Sequence, residues 1–280
     1  MNVLKLINFG SYRLKKERIV SHKIDSEILL SKVLKKKREE ILINLDRKID
    51  KREIKEYDNL IERRAAKEPI AYILQEKEFW SKKFLVSKDT LIPRPETELM
   101  IEKLVNIFQN KSISILDMGT GTGCILISLL TELKKSHGLG IDISQKAVSI
   151  AKKNAEDQKI SKRSKFMKRS LNMIFNQKFD LIVSNPPYVL KGEIKNLEED
   201  IRNYEPLVAL DGGNDGLDVV KKVIYKAKEI LKVNGLLAIE IGNEQSIKVS
   251  KILSKNNFRI IHRIKDYKDN VRCIVSSLNR

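Results

Sequence analysis

An apolar run that stops in two prolines constrains this chain more than any other feature. Residues 179–184, Phe-Asp-Leu-Ile-Val-Ser, read as a buried strand of a parallel sheet, and Asn185, Pro186, Pro187 and Tyr188 follow at once. Neither proline nitrogen carries a donor, so the ladder cannot continue and the chain must leave the sheet as a stiff loop. That loop fixes Asn185 and Tyr188 in place. An amide side chain, a backbone carbonyl that no ladder needs and an aromatic face together can grip a planar amide or amine, orient its nitrogen and exclude water. This is equipment for group transfer to nitrogen.

A second segment has the form strand, glycine turn, helix. Residues 113–118, Ile-Ser-Ile-Leu-Asp-Met, lead into Gly119, Thr120, Gly121, Thr122 and Gly123, and the apolar stretch 124–130 follows. Glycines at alternate positions permit positive φ and a close backbone approach to a ligand, and the amides of a helix start face the same space. The dinucleotide fingerprint places its third glycine one residue later, so the spacing favours another nucleoside-type ligand without excluding a dinucleotide. Residues 139–142, Leu-Gly-Ile-Asp, form a short strand whose last residue, Asp142, is suited to accept from ribose hydroxyls. Ligands of open α/β sheets bind beyond the carboxyl ends of the strands, which is where the glycine loop, Asp142 and the Asn-Pro-Pro-Tyr loop converge.

Periodicity sets the organisation. From residue 96 onward strands and helices alternate, with strands near 113, 139, 164, 179, 235, 258 and 271, the pattern of a doubly wound α/β sheet closed by a hairpin-like pair. Ahead of it, residues 24–34 and 50–67 read as helices, the latter opened by Asp50 and Glu53 at capping-box spacing and stopped before Pro69. Three segments are therefore expected: a helical unit over 1–75, an extended linker or hairpin over 76–95, and the α/β domain over 96–280.

Composition narrows the class. No apolar run approaches the roughly 18 residues of a membrane span, and the first residues are too short for a signal peptide, so a cytoplasmic, non-membrane protein is expected. Cys124 and Cys273 make no disulfide framework, and His22, His137 and His262 are scattered, so no metal site is expected. The formal net charge of +18 is spread along the chain rather than gathered in a tail. It is compatible with nucleic-acid contact and requires none.

Taken together, residues 117–123, Asp142 and residues 185–188 resemble the class I S-adenosylmethionine-dependent methyltransferases that modify amide or exocyclic amine nitrogen. Further segments sharpen this: Glu-Pro-Ile-Ala-Tyr at 68–72, Glu-Phe-Trp at 78–80, Leu-Ile-Pro-Arg-Pro-Glu-Thr-Glu at 91–98, Glu-Pro-Leu at 205–207 and Leu-Asp-Gly-Gly-Asn-Asp-Gly-Leu-Asp at 210–218. They resemble the HemK/PrmC family, whose members methylate a glutamine of peptide chain release factors. The resemblance implies a Rossmann-like, mostly parallel catalytic domain behind a small helical domain that helps grip a class I release factor. It assigns S-adenosyl-L-methionine to Gly119, Thr120, Gly121, Thr122, Gly123, Asp142 and Asn185, and the glutamine amide to Asn185, Pro186, Pro187 and Tyr188. Asn185, Pro186 and Tyr188 would carry the chemistry, with the Asn185 side-chain oxygen and Pro186 carbonyl accepting the two amide hydrogens and Tyr188 packing on the amide plane.

One departure stands out. Many relatives place an acid before an aromatic after the third strand, where this chain reads Ser170, Leu171, Asn172, Met173; Leu171 cannot accept from an adenine amino group, and Asn172 is the expected acceptor through its amide oxygen. Two other readings are open at this point. Asn-Pro-Pro-Tyr also occurs in adenine methyltransferases of DNA or RNA, and Leu171 is compatible with a fold that binds without catalysing.

Overall fold

The computed structural model describes residues 1–173 and 176–279. It divides into two compact units, Met1–Glu76 with Glu198–Tyr204, and Lys77–Leu197 with Glu205–Arg280.

The first unit is helical: α1 (Val3–Lys16), α2 (His22–Leu34), α3 (Arg38–Ile43), α4 (Lys51–Ala65) and α5 (Ile70–Leu74). Asp50 caps α4 by accepting from the Glu53 amide at 2.7 Å, and Glu53 accepts in return from the Asp50 amide at 3.1 Å. The apolar stripes of α1, α2 and α4 meet in a core of Leu6, Leu14, Leu29, Leu30, Tyr57 and Ile61. A polar knot ties the same helices. Ser26 donates to the Ile7 carbonyl at 2.7 Å, so its only hydrogen is committed, and Tyr57 must donate to Ser26 Oγ across the other 2.7 Å contact. Arg64 and Asp25 form a buried pair at 2.7 Å.

The second unit opens with a hairpin, β1 (Glu76–Phe79) and β2 (Lys82–Leu85). Its two turn residues, Trp80 and Ser81, have φ of 51° and 54°, the left-handed pair of a type I′ turn. The Trp80 amide donates to Glu98 and its indole to Glu132, both at 2.9 Å, contacts that offset the conformational cost at a non-glycine residue. Then come α6 (Glu96–Phe108), β3 (Ser114–Met118), α7 (Cys124–Glu132), β4 (His137–Asp142), α8 (Gln145–Asp157), β5 (Ser164–Lys168) and β6 (Phe179–Ser184). The short helix α9 (Glu199–Tyr204) belongs to the helical unit, where the Tyr204 hydroxyl donates to the Ala66 carbonyl at 2.7 Å. The chain closes with α10 (Asp218–Ile230), β7 (Leu231–Glu240), α11 (Ser246–Lys255), β8 (Phe258–Lys265) and β9 (Val271–Leu278).

The sheet order is β5-β4-β3-β6-β7-β9-β8, parallel except where β9 pairs antiparallel with both β7 and β8. Strand alternation divides the core between two faces. Ile115, Leu181, Val183 and Ala238 pack with α6, α7 and α8, whereas Leu116, Ile182, Leu237 and Ile239 pack with α10 and α11. This is the doubly wound arrangement expected from the sequence, with the closing hairpin in place. The edge strand β8 turns Arg259, Ile261, Arg263 and Lys265 to solvent. Among the described residues no helix is long and apolar enough to cross a membrane.

Space in the helical unit is tight enough to test. A Cβ at Gly10 would stand 2.0 Å from the Tyr57 hydroxyl, and Tyr57 is fully buried. Gly10→Ala should lower unfolding free energy by about 1–3 kcal/mol in urea titration, the range for overpacking, and should cost less in a Tyr57→Phe background.

Candidate active site

The chain runs from β3 outward through β4 to β5, then crosses back to lay β6 on the other side of β3. The loops after β3 and β6 therefore part in opposite directions, and the crevice between them is the switch point where open α/β sheets take ligands. A cavity of about 620 Å³ occupies it, within the range of small-molecule sites. Its walls include residues 118–122 after β3, residues 141–144 after β4, residues 184–187 after β6, Pro93 and Arg94, and residues 206–209.

The glycine loop is held down by its own amides. Gly119 and Thr120 both donate to the Ile141 carbonyl at 2.9 Å, and Gly121 donates to Asp142 Oδ2 at 3.0 Å. Asp142 Oδ1 accepts from the Ser144 amide at 2.9 Å, so this carboxylate braces the loop and the start of α8 together. The loop thus meets a ligand with its Cα faces more than with free N–H groups, unlike the expectation from glycine spacing. Gly121 has φ of +53°, and a Cβ there would meet nothing within 4 Å because it would project into the open cavity. Beneath the loop, Asp117 accepts from the Thr120 hydroxyl at 2.7 Å, and burial pushes its pKa up to about 7.

The Asn-Pro-Pro-Tyr loop is clamped from behind. Ser184 donates to the Met118 carbonyl at 2.7 Å, tying the end of β6 to the end of β3. Gln245 is buried and donates to the carbonyls of Tyr188 at 3.0 Å and Gly216 at 3.2 Å, while accepting from the Gly242 amide at 2.9 Å. Gly216 is required here, for its φ is +70° and a Cβ would stand 2.6 Å from the Tyr188 carbonyl. Asn185 Nδ2 donates to Thr97 Oγ1 at 3.5 Å, Thr97 donates to Glu240 Oε2 at 2.6 Å, and Tyr188 donates to Glu240 Oε1 at 3.5 Å. Glu240 is 3% exposed, and burial pushes its pKa up to about 7.

The fold brings Gly119, Thr120, Gly121, Thr122, Asp142, Asn185, Pro186 and Pro187 to one cavity, together with Pro93, Arg94 and Asp211. Gly123, Tyr188 and Asn172 do not line it. Gly123, with φ of +79°, starts α7 and faces Ile127, Ala151 and Phe166. The Tyr188 hydroxyl is engaged by Glu240 behind the loop. Asn172 is exposed, its amide donating to Ser170 Oγ at 3.3 Å, and its neighbour Leu171 forms the wall with Arg169. Sequence reasoning missed Thr97 and Glu240. The available signal was a lone carboxylate inside the apolar run Leu-Ala-Ile-Glu-Ile at 237–241. Cys124 also lines the cavity, where burial pushes its thiol up to about 12 and disfavours the thiolate.

Residues 5–74 match the PrmC N-terminal domain family and residues 92–201 the methyltransferase small domain family. The chain is 39% identical to the release factor glutamine methyltransferase of Buchnera aphidicola subsp. Acyrthosiphon pisum, over 98% of both chains. It is 36% identical to the bifunctional methyltransferase of Rickettsia prowazekii over 91% of this chain, and spans 54% of that protein. Among solved structures, the catalytic domain of hMettl16 in complex with MAT2A 3'UTR hairpin 6 superposes with a TM-score of 0.58 at 18% identity, covering 79% of this chain and 83% of that one. The fold is that of the class I S-adenosylmethionine-dependent methyltransferases.

One ion pair joins two walls of the cavity. Arg94 donates to Glu205 Oε1 at 2.6 Å and the Ile92 amide donates to Oε2 at 3.2 Å, with the Glu205 side chain 1% exposed. Arg94→Ala should destabilise the fold by about 3 kcal/mol in urea titration, the low end for breaking a buried pair, and Glu205→Gln should cost less because the charge it strands, on Arg94, is 28% exposed.

Proposed function

The chain belongs to the release factor glutamine methyltransferase family, and from that premise we propose that it transfers a methyl group from S-adenosyl-L-methionine to the side-chain amide nitrogen of a glutamine, that of the Gly-Gly-Gln motif in class I peptide chain release factors. The observation that carries the reading is the shared cavity: a glycine loop and an acid at one end, and Asn185 with Pro186 at the other. A cytoplasmic setting follows from such a substrate.

The residues present fit the cofactor. Gly119 and Gly121 leave open space where any Cβ would project, and Asp142 is half-buried at the strand end, with lone pairs beyond the two backbone donors it already serves. When bound, S-adenosyl-L-methionine supplies a sulfonium methyl already activated for displacement. Leu171 on the wall gives an adenine ring an apolar surface in place of a carboxylate.

The protein's task is positioning. An amide nitrogen shares its lone pair with its carbonyl and is a poor nucleophile. Asn185 Oδ1 and the Pro186 carbonyl accept its two hydrogens, shift electron density back to nitrogen and fix its direction of attack. Methylation would turn one of those hydrogens out as a proton, which must pass to solvent because neither Asn185 Oδ1 nor the Pro186 carbonyl is a base. Holding nitrogen and methyl in line supplies at best about 7–11 kcal/mol of barrier reduction. The stiff Pro186-Pro187 corner, clamped by Ser184 and Gln245, lets that alignment persist without reorganisation. The helical unit of residues 1–76 serves to recognise the release factor.

The second reading, adenine methylation of nucleic acid, draws on the same loop and the net charge of +18. Incubation with tritiated S-adenosyl-L-methionine should label a release factor, leave its glutamine-to-alanine variant unlabelled and leave duplex DNA unlabelled; label on nucleic acid alone would overturn the assignment. Asn185→Ala should lower kcat by roughly a hundredfold in the same assay at saturating cofactor, the cost of a small misplacement at the reacting centre.

A further inference from the structure

An asparagine side chain can present either its oxygen or its nitrogen to a ligand, and the proposed reaction needs the oxygen. Rotating the amide by half a turn would aim two donors at a substrate that is itself a donor. The orientation of Asn185 is thus a property the protein must enforce, and nothing in the Asn-Pro-Pro-Tyr loop alone enforces it.

The geometry behind the loop does. Thr97 Oγ1 has one hydrogen, and it is committed to Glu240 Oε2 across 2.6 Å, the length of a hydrogen bond to a charged acceptor. Its lone pairs face Asn185, so only the Nδ2 end of that amide can approach, and it does so at 3.5 Å. Tyr188 spends its hydroxyl hydrogen on the other oxygen of Glu240, also at 3.5 Å. Both outer contacts are long, as active-site hydrogen bonds are before they tighten around substrate. Thr97, although it lines the cavity, is 2% exposed and Glu240 3%, so little solvent competes for these roles. With Nδ2 turned to Thr97, Oδ1 is the end left for the cavity that Asn185 lines.

Building on the glutamine reading above, we infer that Thr97 and Glu240 are positioning residues that fix the amide orientation of Asn185 through a one-way chain of donors ending on a buried carboxylate. The chain has a sense only while Glu240 is an acceptor on both oxygens. Protonation gives it a hydrogen that must go to Thr97 or Tyr188. If Thr97 receives it, its own hydroxyl is free to turn toward Asn185 and invite the oxygen instead. The groups facing Glu240 are the Thr97 hydroxyl and Glu96 on α6, Arg272 and Cys273 on β9, Tyr188 on the loop and Cys124 on α7. Burial and Glu96 push its pKa up to about 7 against the opposing Arg272. The working form is therefore gained as pH rises through about 7 and lost below it.

Two measurements on the full chain test this. In wild-type protein, the side-chain amide resonances of Asn185, identified by their absence from Asn185→Asp, should titrate with a midpoint near 7; resonances that stay still between pH 6 and 8 would overturn the inference. In the tritium assay, Thr97→Val should lower kcat by roughly tenfold to a hundredfold, the effect of a misplacement of about 1 Å, with KM for the release factor and calorimetric cofactor affinity within about twofold. Thr97→Ser should restore kcat, and Glu240→Gln should lose the acid limb of the kcat profile near pH 7. Wild-type kcat in Thr97→Val, or an unaltered acid limb in Glu240→Gln, would overturn it. The resonance experiment needs no substrate, so titrating Asn185 signals without release-factor methylation would uphold the donor chain while removing the glutamine reading.

Discussion

Parallel strands deliver all their carboxyl ends to one edge, and a chain that fills such a sheet outward from its middle must leave a gap where it reverses direction. Here the gap lies between β3 and β6, and every element of the site is a consequence of it. The glycine loop ends one of these strands and the proline pair ends the other. Ser184, itself part of the cavity wall, donates to the Met118 carbonyl and closes the seam between them. Two loops that must share one ligand are thereby referenced to a single rigid origin.

Above that seam the site is braced by buried polar groups. Gln245 satisfies three backbone groups from three segments, Asp142 holds both the glycine loop and the start of α8, and Glu205 joins the residues around Pro93 to those after it in the 206–209 wall. Each is a side chain whose loss would leave backbone donors or acceptors buried and unserved. Such braces lock geometry more than they add stability. The result is a preorganised wall of carbonyls and amides, the arrangement that chemistry by alignment demands.

Much of this was legible in the sequence, for stated reasons. Strand positions followed from apolar runs, and the sheet class from their alternation with helices; the capping box at Asp50 and Glu53 formed as its spacing required. Cavity residues carried by strand ends were readable because backbone punctuation, glycine or proline, marks where a strand must stop. The shortfall has one cause. Thr97, Glu240 and Gln245 meet the Asn-Pro-Pro-Tyr loop across 88, 52 and 57 residues, Glu205 meets Ile92 and Arg94 across 113 and 111, and no local pattern encodes a hydrogen bond across such distances. Asn172 and Leu171 show the same limit at short range: both follow β5, but only the structure decides which of two adjacent side chains turns inward. Tyr188 was read as an aromatic face for substrate, and its hydroxyl, which that reading did not use, donates to Glu240.

The outer strand of the sheet bears on a different matter. β8 has no neighbour beyond it in the seven-stranded sheet, and an unpartnered strand edge is a template on which another chain can polymerise. Arg259, Arg263 and Lys265 stand exposed along it, like charges on an open flank. Stacking a second copy there would bring cation against cation at strand spacing. Like charges along that margin disfavour edge-to-edge pairing of two copies, independently of any reaction the cavity performs.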